Sequence, residues 1–198
     1  MDAVEVLFAR RSTGRLVAPA PAPDELRTLL RAAAAAPDHK RLRPFRFTVL
    51  SGPAKDAFGE VLASAYDARC AAAGSEPAPG KRDKERTKLG RAPLVLVVSA
   101  VRQQTTKVPW AEQLAAVAAA AHNACLAATA LGYGSMWRTG DPSYDPNVKA
   151  ALGLGEADAV VAWLYLGSFR DGVAPTPNDP DLDGLLLPWP TPWRNEPR

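Results

Sequence analysis

Arg10, Arg11 and Ser12 set two guanidinium forks and a hydroxyl side by side in a chain whose other reactive side chains are sparse. Such a trio can meet several oxygens of a phosphate monoester at once through charge-assisted hydrogen bonds. The same basic residues could instead do no more than complement the dipole at the end of a helix. Trp137 and Arg138 repeat the theme, an aromatic body followed by a second phosphate-competent donor in a short strand beside a tight turn. Together these segments favour a phosphorylated, aromatic ligand.

Chemistry by the protein's own side chains is poorly provided for. The 2 histidines, His39 and His122, form no H-E-x-x-H pair, so a histidine zinc site is not indicated. No serine lies in G-x-S-x-G, and Cys125 falls in an alanine-rich segment, where a thiol usually behaves as a small buried hydrophobe. Asp141, Asp145, Glu156 and Asp158 show no spacing that assigns an acid and a base. Gly132-Tyr133-Gly134 lacks the third glycine of a dinucleotide fingerprint and precedes a strand instead of following one. Gly80-Lys81-Arg82 lacks the hydroxyl and the upstream glycine of a phosphate loop. A chain so equipped is suited to borrowing its chemistry from a cofactor.

The elements that must position these residues are legible from periodicity. Asp2 with Glu5 has the layout of a capping box, and the helix that follows runs to about Arg10, where Ser12-Thr13-Gly14 stops it. Pro23 opens a second helix, with Leu26, Leu29, Leu30 and Ala33 on one face, which ends at Pro37. The alternation of Phe45 to Leu50 predicts a half-buried strand, and a third helix covers about Ala54 to Ala73. Pro93 to Ser99 is a continuous apolar run, expected of a central strand, and Ala157 to Leu166 is another. Between them lie a long alanine helix, Ala111 to Leu131, a short strand, Gly134 to Arg138, and a short helix, Asn147 to Leu152. So little of the alanine helix is polar that a covering partner chain is expected.

The chain has 198 residues, 47% hydrophobic and 23% charged, which suits one soluble domain. Lys+Arg 24 against Asp+Glu 21 gives a pI near 9.0, too even a balance for a nucleic-acid stripe. The run Lys81 to Arg86, inside a mobile excursion over 74–91, reads as solvated. The opening residues lack the form of a secretory signal and no stretch suits a bilayer, so cytoplasmic location without a membrane partner is expected. With 2 cysteines far apart, no disulfide framework is expected. Residues 168–198 form a Pro-rich tail, with Trp189 and Trp193 among its apolar residues, expected to lie on a neighbouring subunit.

In order and spacing, Arg10-Arg11-Ser12, Ala36-Pro37-Asp38-His39-Lys40, Arg43-Pro44-Phe45-Arg46-Phe47, Lys107-Val108-Pro109, Gly132-Tyr133-Gly134 and Trp137-Arg138-Thr139-Gly140 resemble the FMN-dependent nitroreductase superfamily. The nearest subgroup is that of the compact YdjA-like NAD(P)H nitroreductases, and Leu164-Tyr165-Leu166-Gly167 is similar to the family's closing strand. The resemblance spans residues 1–167. It implies an α+β, nitroreductase-like α/β sandwich, with a central mixed sheet flanked by helices, and an intertwined homodimer with FMN at the subunit interface.

By that resemblance Arg10, Arg11 and Ser12 hold the ribityl phosphate, His39 approaches the flavin from the other subunit, and Trp137, Arg138 and Thr139 complete the site. The helix end Ala127, Ala128, Thr129, Ala130, Leu131 and Gly132 is where the nicotinamide is admitted. No protein residue is implied as catalytic, because flavin N5 carries the hydride from NAD(P)H to a small-molecule acceptor, nitroaromatic or quinone-like, in ping-pong order. Arg43-Pro44-Phe45 replaces the family's usual Gln-Pro-Trp, and Ala35 stands where some members carry a basic residue. On residue logic alone His39 could be a turn residue and His122 a satisfied core or interface histidine. Two other functions stay open: a dimeric flavin-storage or flavin-sensing module, and a specialised flavin dehydrogenase of the same fold.

Overall fold

The computed structural model describes residues 2–104, 107–177 and 179–186. Asp2 caps α1 (Ala3–Ala9) through the reciprocal box expected from the sequence, its carboxylate accepting from Val4 N at 2.8 Å and Glu5 N at 2.9 Å while Glu5 reaches back to Asp2 N. Pro23 opens α2 (Pro23–Ala34), where Ala22 N donates to the Glu25 carboxylate at 2.8 Å, the return half of such a box, since Ala22 has no side-chain acceptor. A 3-10 turn, His39–Arg41, leads into β1 (Phe45–Ser51), followed by α3 (Pro53–Ala72) and α4 (Lys81–Thr87). A second 3-10 turn, Lys88–Arg91, enters β2 (Leu94–Ala100). Then come α5 (Trp110–Ala130), β3 (Gly134–Arg138), α6 (Asp141–Tyr144), α7 (Pro146–Ala151) and β4 (Ala159–Gly167).

The strands lie in the order β1-β2-β4-β3, and each neighbouring pair is antiparallel. The expected mixed sheet is corrected accordingly. Among the described residues the parallel component is a single bridge, Ser12 to Ser135, made by the linker after α1 as it passes the open edge of β3. That linker then crosses the sheet end, where Leu16 N donates to Arg91 O and Val17 pairs with Ser168.

Strand alternation divides the core in two. Leu94, Leu96, Val98, Leu164 and Leu166 face α2 and α5, whereas Val95, Val97, Trp163 and Tyr165 face α3, α4 and α7. α5 buries Ala116, Val117, Ala120, Ala121, Ala124, Cys125 and Ala128 between the sheet and α2. Its own chain therefore supplies most of the cover that the sequence assigned to a partner. Exposed apolar side chains include Val4, Leu7 and Phe8 on α1, Leu131 at the end of α5, Tyr144, and Val173, Leu182, Leu185 and Leu186 of the tail.

The second half of the segment 74–91 is helical. Residues 81–91 form α4 and the 3-10 turn, packed on α3 with Leu89 buried. The charge run is held by pairing: Arg82 to Asp67 on α3 at 2.8 Å, Arg86 to Asp83 at 2.6 Å, and Lys81 to the buried Glu85 at 3.1 Å. Burial opposes ionisation of Glu85, but Lys88 and Lys81 together hold its carboxyl below the usual range. Of the tail, Trp189, Trp193 and their flanking prolines lie outside the described residues. Among the described residues no helix is long and apolar enough to cross a membrane.

Candidate functional site

Arg10 closes α1, and its charge reaches α5, depressing the imidazole of His122 after burial and acting on the Cys125 thiol. Burial dominates at Cys125 and pushes that thiol up, against the weaker pull of Ser135 and Arg10, so it stays protonated and unreactive at neutral pH. Thr13 N donates to Ser135 O at 2.9 Å, which fixes the Arg10–Thr13 segment along β3. Neither Arg10 nor Arg11 forms an ion pair among the described residues, and the buried Thr13 Oγ1 has no hydrogen-bond partner. Guanidiniums without a carboxylate partner are the kind of donor that an anion would complete.

Trp137 and Arg138 are adjacent in sequence but point to opposite faces of β3. Trp137 packs with the α2/α5 core, while the Arg138 guanidinium lies 5.9 Å from the Tyr165 ring centroid, on the α3/α4 side. With Ser12 beside Ser135, the backbones of Arg10 and Arg138 are about 17 Å apart along the strand, at about 3.3 Å per residue. Arg138 and Thr139 line a cavity of about 260 Å³ with Lys84, Arg91, Trp163 and Tyr165.

His39 is exposed on the linker before β1, its Nδ1 2.6 Å from Glu112 at the start of α5. His122, near Arg10, lies ten residues further along that helix, about 15 Å of rise. Within one chain His39 and Arg10 are therefore not brought together. Residues Ala127 to Gly132 end α5 in a glycine-terminated turn, with Gly132 at φ +85, Gly132 N donating to Thr129 O and Tyr133 N to Ala128 O. This carbonyl-rich helix end is the negative pole of α5, next to the turn where Arg10 acts.

Sequence reasoning missed Lys84, Arg91, Tyr165 and Glu112. Lys84 was hidden in the charge run Lys81 to Arg86, Arg91 at the end of the segment 74–91, and Tyr165 in an apolar strand. Glu112 has no sequence signal linking it to His39. Among the described residues no group of three or more His, Cys, Asp or Glu side chains is placed to hold a metal ion.

The chain matches the Nitroreductase family over residues 7–168. It is 39% identical, over 91% of its own length and 96% of the relative's, to a protein of Escherichia coli K12 named "Putative NAD(P)H nitroreductase YdjA". A Haemophilus influenzae protein named "Putative NAD(P)H nitroreductase" is 31% identical over 85% of this chain and 89% of its own. In fold the chain is similar to a nitroreductase-like protein from Bacillus cereus, at TM-score 0.78 and 22% identity over 96% and 97% of the two chains. A Bacteroides fragilis nitroreductase with bound FMN gives TM-score 0.69 and 24% identity over 94% and 99%.

Proposed function

This chain belongs to the nitroreductase family, and from that membership we propose that it is an FMN-dependent oxidoreductase. It draws electrons from NAD(P)H and passes them to nitroaromatic or quinone-like acceptors in ping-pong order. The observation that carries this reading is the pair Arg10 and Arg11, without a carboxylate partner among the described residues, on the segment that Ser12 and Thr13 hold along the edge of β3. A phosphate monoester supplies the acceptors that the pair lacks. When bound, FMN contributes the two-electron chemistry for which the chain has no side chains of its own.

The chain's own share is binding and orientation. Arg10, Arg11 and Ser12 hold the phosphate, with Trp137 against the ring system and Arg138 and Thr139 further along the strand. Ala127 to Gly132 offer small side chains and carbonyls to the nicotinamide. His39, half of α5 away from Arg10 in its own chain, serves the flavin of the partner subunit in a homodimer, with residues 168–198 packed on that partner. The working unit is then residues 1–167. Cys70 and Cys125 are free thiols, suited to the reducing cytoplasm.

Stopped-flow mixing of the flavin-loaded protein with NADH and with NADPH tests the reading. Bleaching of flavin absorbance by at least one donor, and its return on adding a quinone, is expected. A protein that binds FMN but is bleached by neither would be a storage module instead.

A further inference from the structure

We propose that Glu112 is a positioning residue for His39: its carboxylate holds the ring by Nδ1 and leaves Nε2 as the atom presented to the flavin, where it accepts from the ring's imide N–H. The proposal deepens the oxidoreductase reading and rests on its assignment of His39 to the flavin. His39 and Glu112 stand 73 residues apart in the chain, yet Nδ1 lies 2.6 Å from Glu112 Oε2. A carboxylate only accepts, so the hydrogen of this bond sits on Nδ1. In the neutral ring Nε2 then carries no hydrogen and is itself an acceptor. It calls for a donor on the ligand. A quinone or a simple nitroaromatic offers no N–H, whereas the oxidised flavin ring has one, at its imide.

The backbone is fixed on both sides of the pair. Lys40, Arg41 and Arg43 take φ of +62, +52 and +48, a region that residues with side chains enter rarely and at a cost. Asp38 holds that turn, its carbonyl accepting from Arg41 N at 3.0 Å and its carboxylate from Arg43 N at 2.6 Å. Across from it, Glu112 lies in the first turn of α5, where its N donates to Pro109 O at 3.1 Å. The next residue, Gln113, is buried, accepts from Gln103 N at 2.9 Å and donates to Gln103 O and Val108 O. The His39 and Glu112 side chains themselves are 54% and 50% exposed, and a pair so open adds little stability. What it supplies is the direction of the ring and the choice of nitrogen. A carboxylate kept only to complement the dipole of α5 would do neither.

The test compares the flavin-loaded wild type with His39→Ala, Glu112→Ala and the double variant. Glu76→Ala, which removes an exposed acid between α3 and α4, is the charge control. Both side chains of the pair are exposed, so the variants should fold, and circular dichroism checks this. First, long-range proton–nitrogen correlation spectra, taken in the alkaline range where imidazole is neutral, report which nitrogen carries the hydrogen. The chain has 2 histidines, so His39→Ala assigns the signals. His39 should carry its hydrogen on Nδ1 in the wild type and the control, and lose that preference in Glu112→Ala. Second, the wild type should bind FMN about fivefold more tightly than FMN methylated at the imide nitrogen, the worth of about one hydrogen bond. That preference should vanish in His39→Ala and in Glu112→Ala, with no further change in the double variant. An unchanged tautomer or an unchanged preference in Glu112→Ala overturns the proposal, as does a loss in the double variant beyond that of His39→Ala. Should the protein bind no flavin while the tautomer still depends on Glu112, the oxidoreductase reading falls and the positioning of His39 by Glu112 stands.

Discussion

Gly59 sits in the middle of α3, where alanine would ordinarily be the better residue. Replacing a helix-interior glycine by alanine gains about 1 kcal/mol from backbone entropy. At Gly59, however, a Cβ would lie 2.2 Å from Arg86 O and 3.2 Å from Arg86 C, on the backbone of α4. Ordinary contact between heavy atoms is about 3.5 Å, so the two helices must separate by about 1 Å. Overpacking of that order costs about 1–3 kcal/mol, and α4 cannot yield freely, because Leu89 is buried behind it and Glu85 ties it to Lys81 and Lys88. The net expectation for Gly59→Ala is a loss of up to about 2 kcal/mol. Gly90→Ala provides the contrast: an added Cβ there meets nothing within 4 Å and φ is not positive. Urea unfolding monitored by tryptophan fluorescence should separate the two variants by at least about 1 kcal/mol, with Gly59→Ala the less stable. If Gly59→Ala is instead more stable than wild type, the close approach of α3 and α4 is not what requires glycine, and the reasoning fails.

Arg10→Ala should weaken FMN binding about ten- to a hundredfold, about 1.5–3 kcal/mol for a charge-assisted contact, in a fluorescence titration; Cys125→Ser should reduce its flavin at the wild-type rate. The His122 imidazole, depressed by burial and then by Arg10, should titrate below 6.5 in an NMR pH series and move upward in Arg10→Ala. Because its folded pKa is lowered, the unfolded chain takes the proton first as pH falls below 6.5, so His122 erodes stability on that side and His122→Gln should flatten the decline. Leu7→Glu with Phe8→Glu puts charge on the exposed face of α1, and should give a flavin-free monomer in analytical ultracentrifugation; a monomer that keeps its flavin would refute the two-chain site.

Local signals carried much of the architecture. The Asp2–Glu5 box, Pro23 at a helix start and the apolar runs of β2 and β4 depend on near neighbours, and β3 ends where its sequence pattern does, at Gly134 and Arg138. What the sequence hid depends on distant neighbours. α4 reads as solvated because two of its counter-charges, Asp67 and Glu60, are on α3, and because its buried residue is itself charged, Glu85. α5 reads as needing a second chain because nothing local announces that α2 lies across it. The candidate site suffered a different loss: adjacency of Trp137 and Arg138 in sequence suggested one joint contact, whereas strand alternation sends them to opposite faces.

The linker that carries Arg10 to Val17 has its pairing partners near the other end of the polypeptide, at Ser135 and Ser168. This stretch is made before its partners: Leu16 waits for Arg91, and Ser12, Thr13 and Val17 wait for β3 and the end of β4. Closing so long a loop defers these contacts to the last stage of folding. The Arg10–Thr13 segment is therefore one of the last features to acquire its shape, and a chain truncated before β3 lacks the strand edge that fixes it.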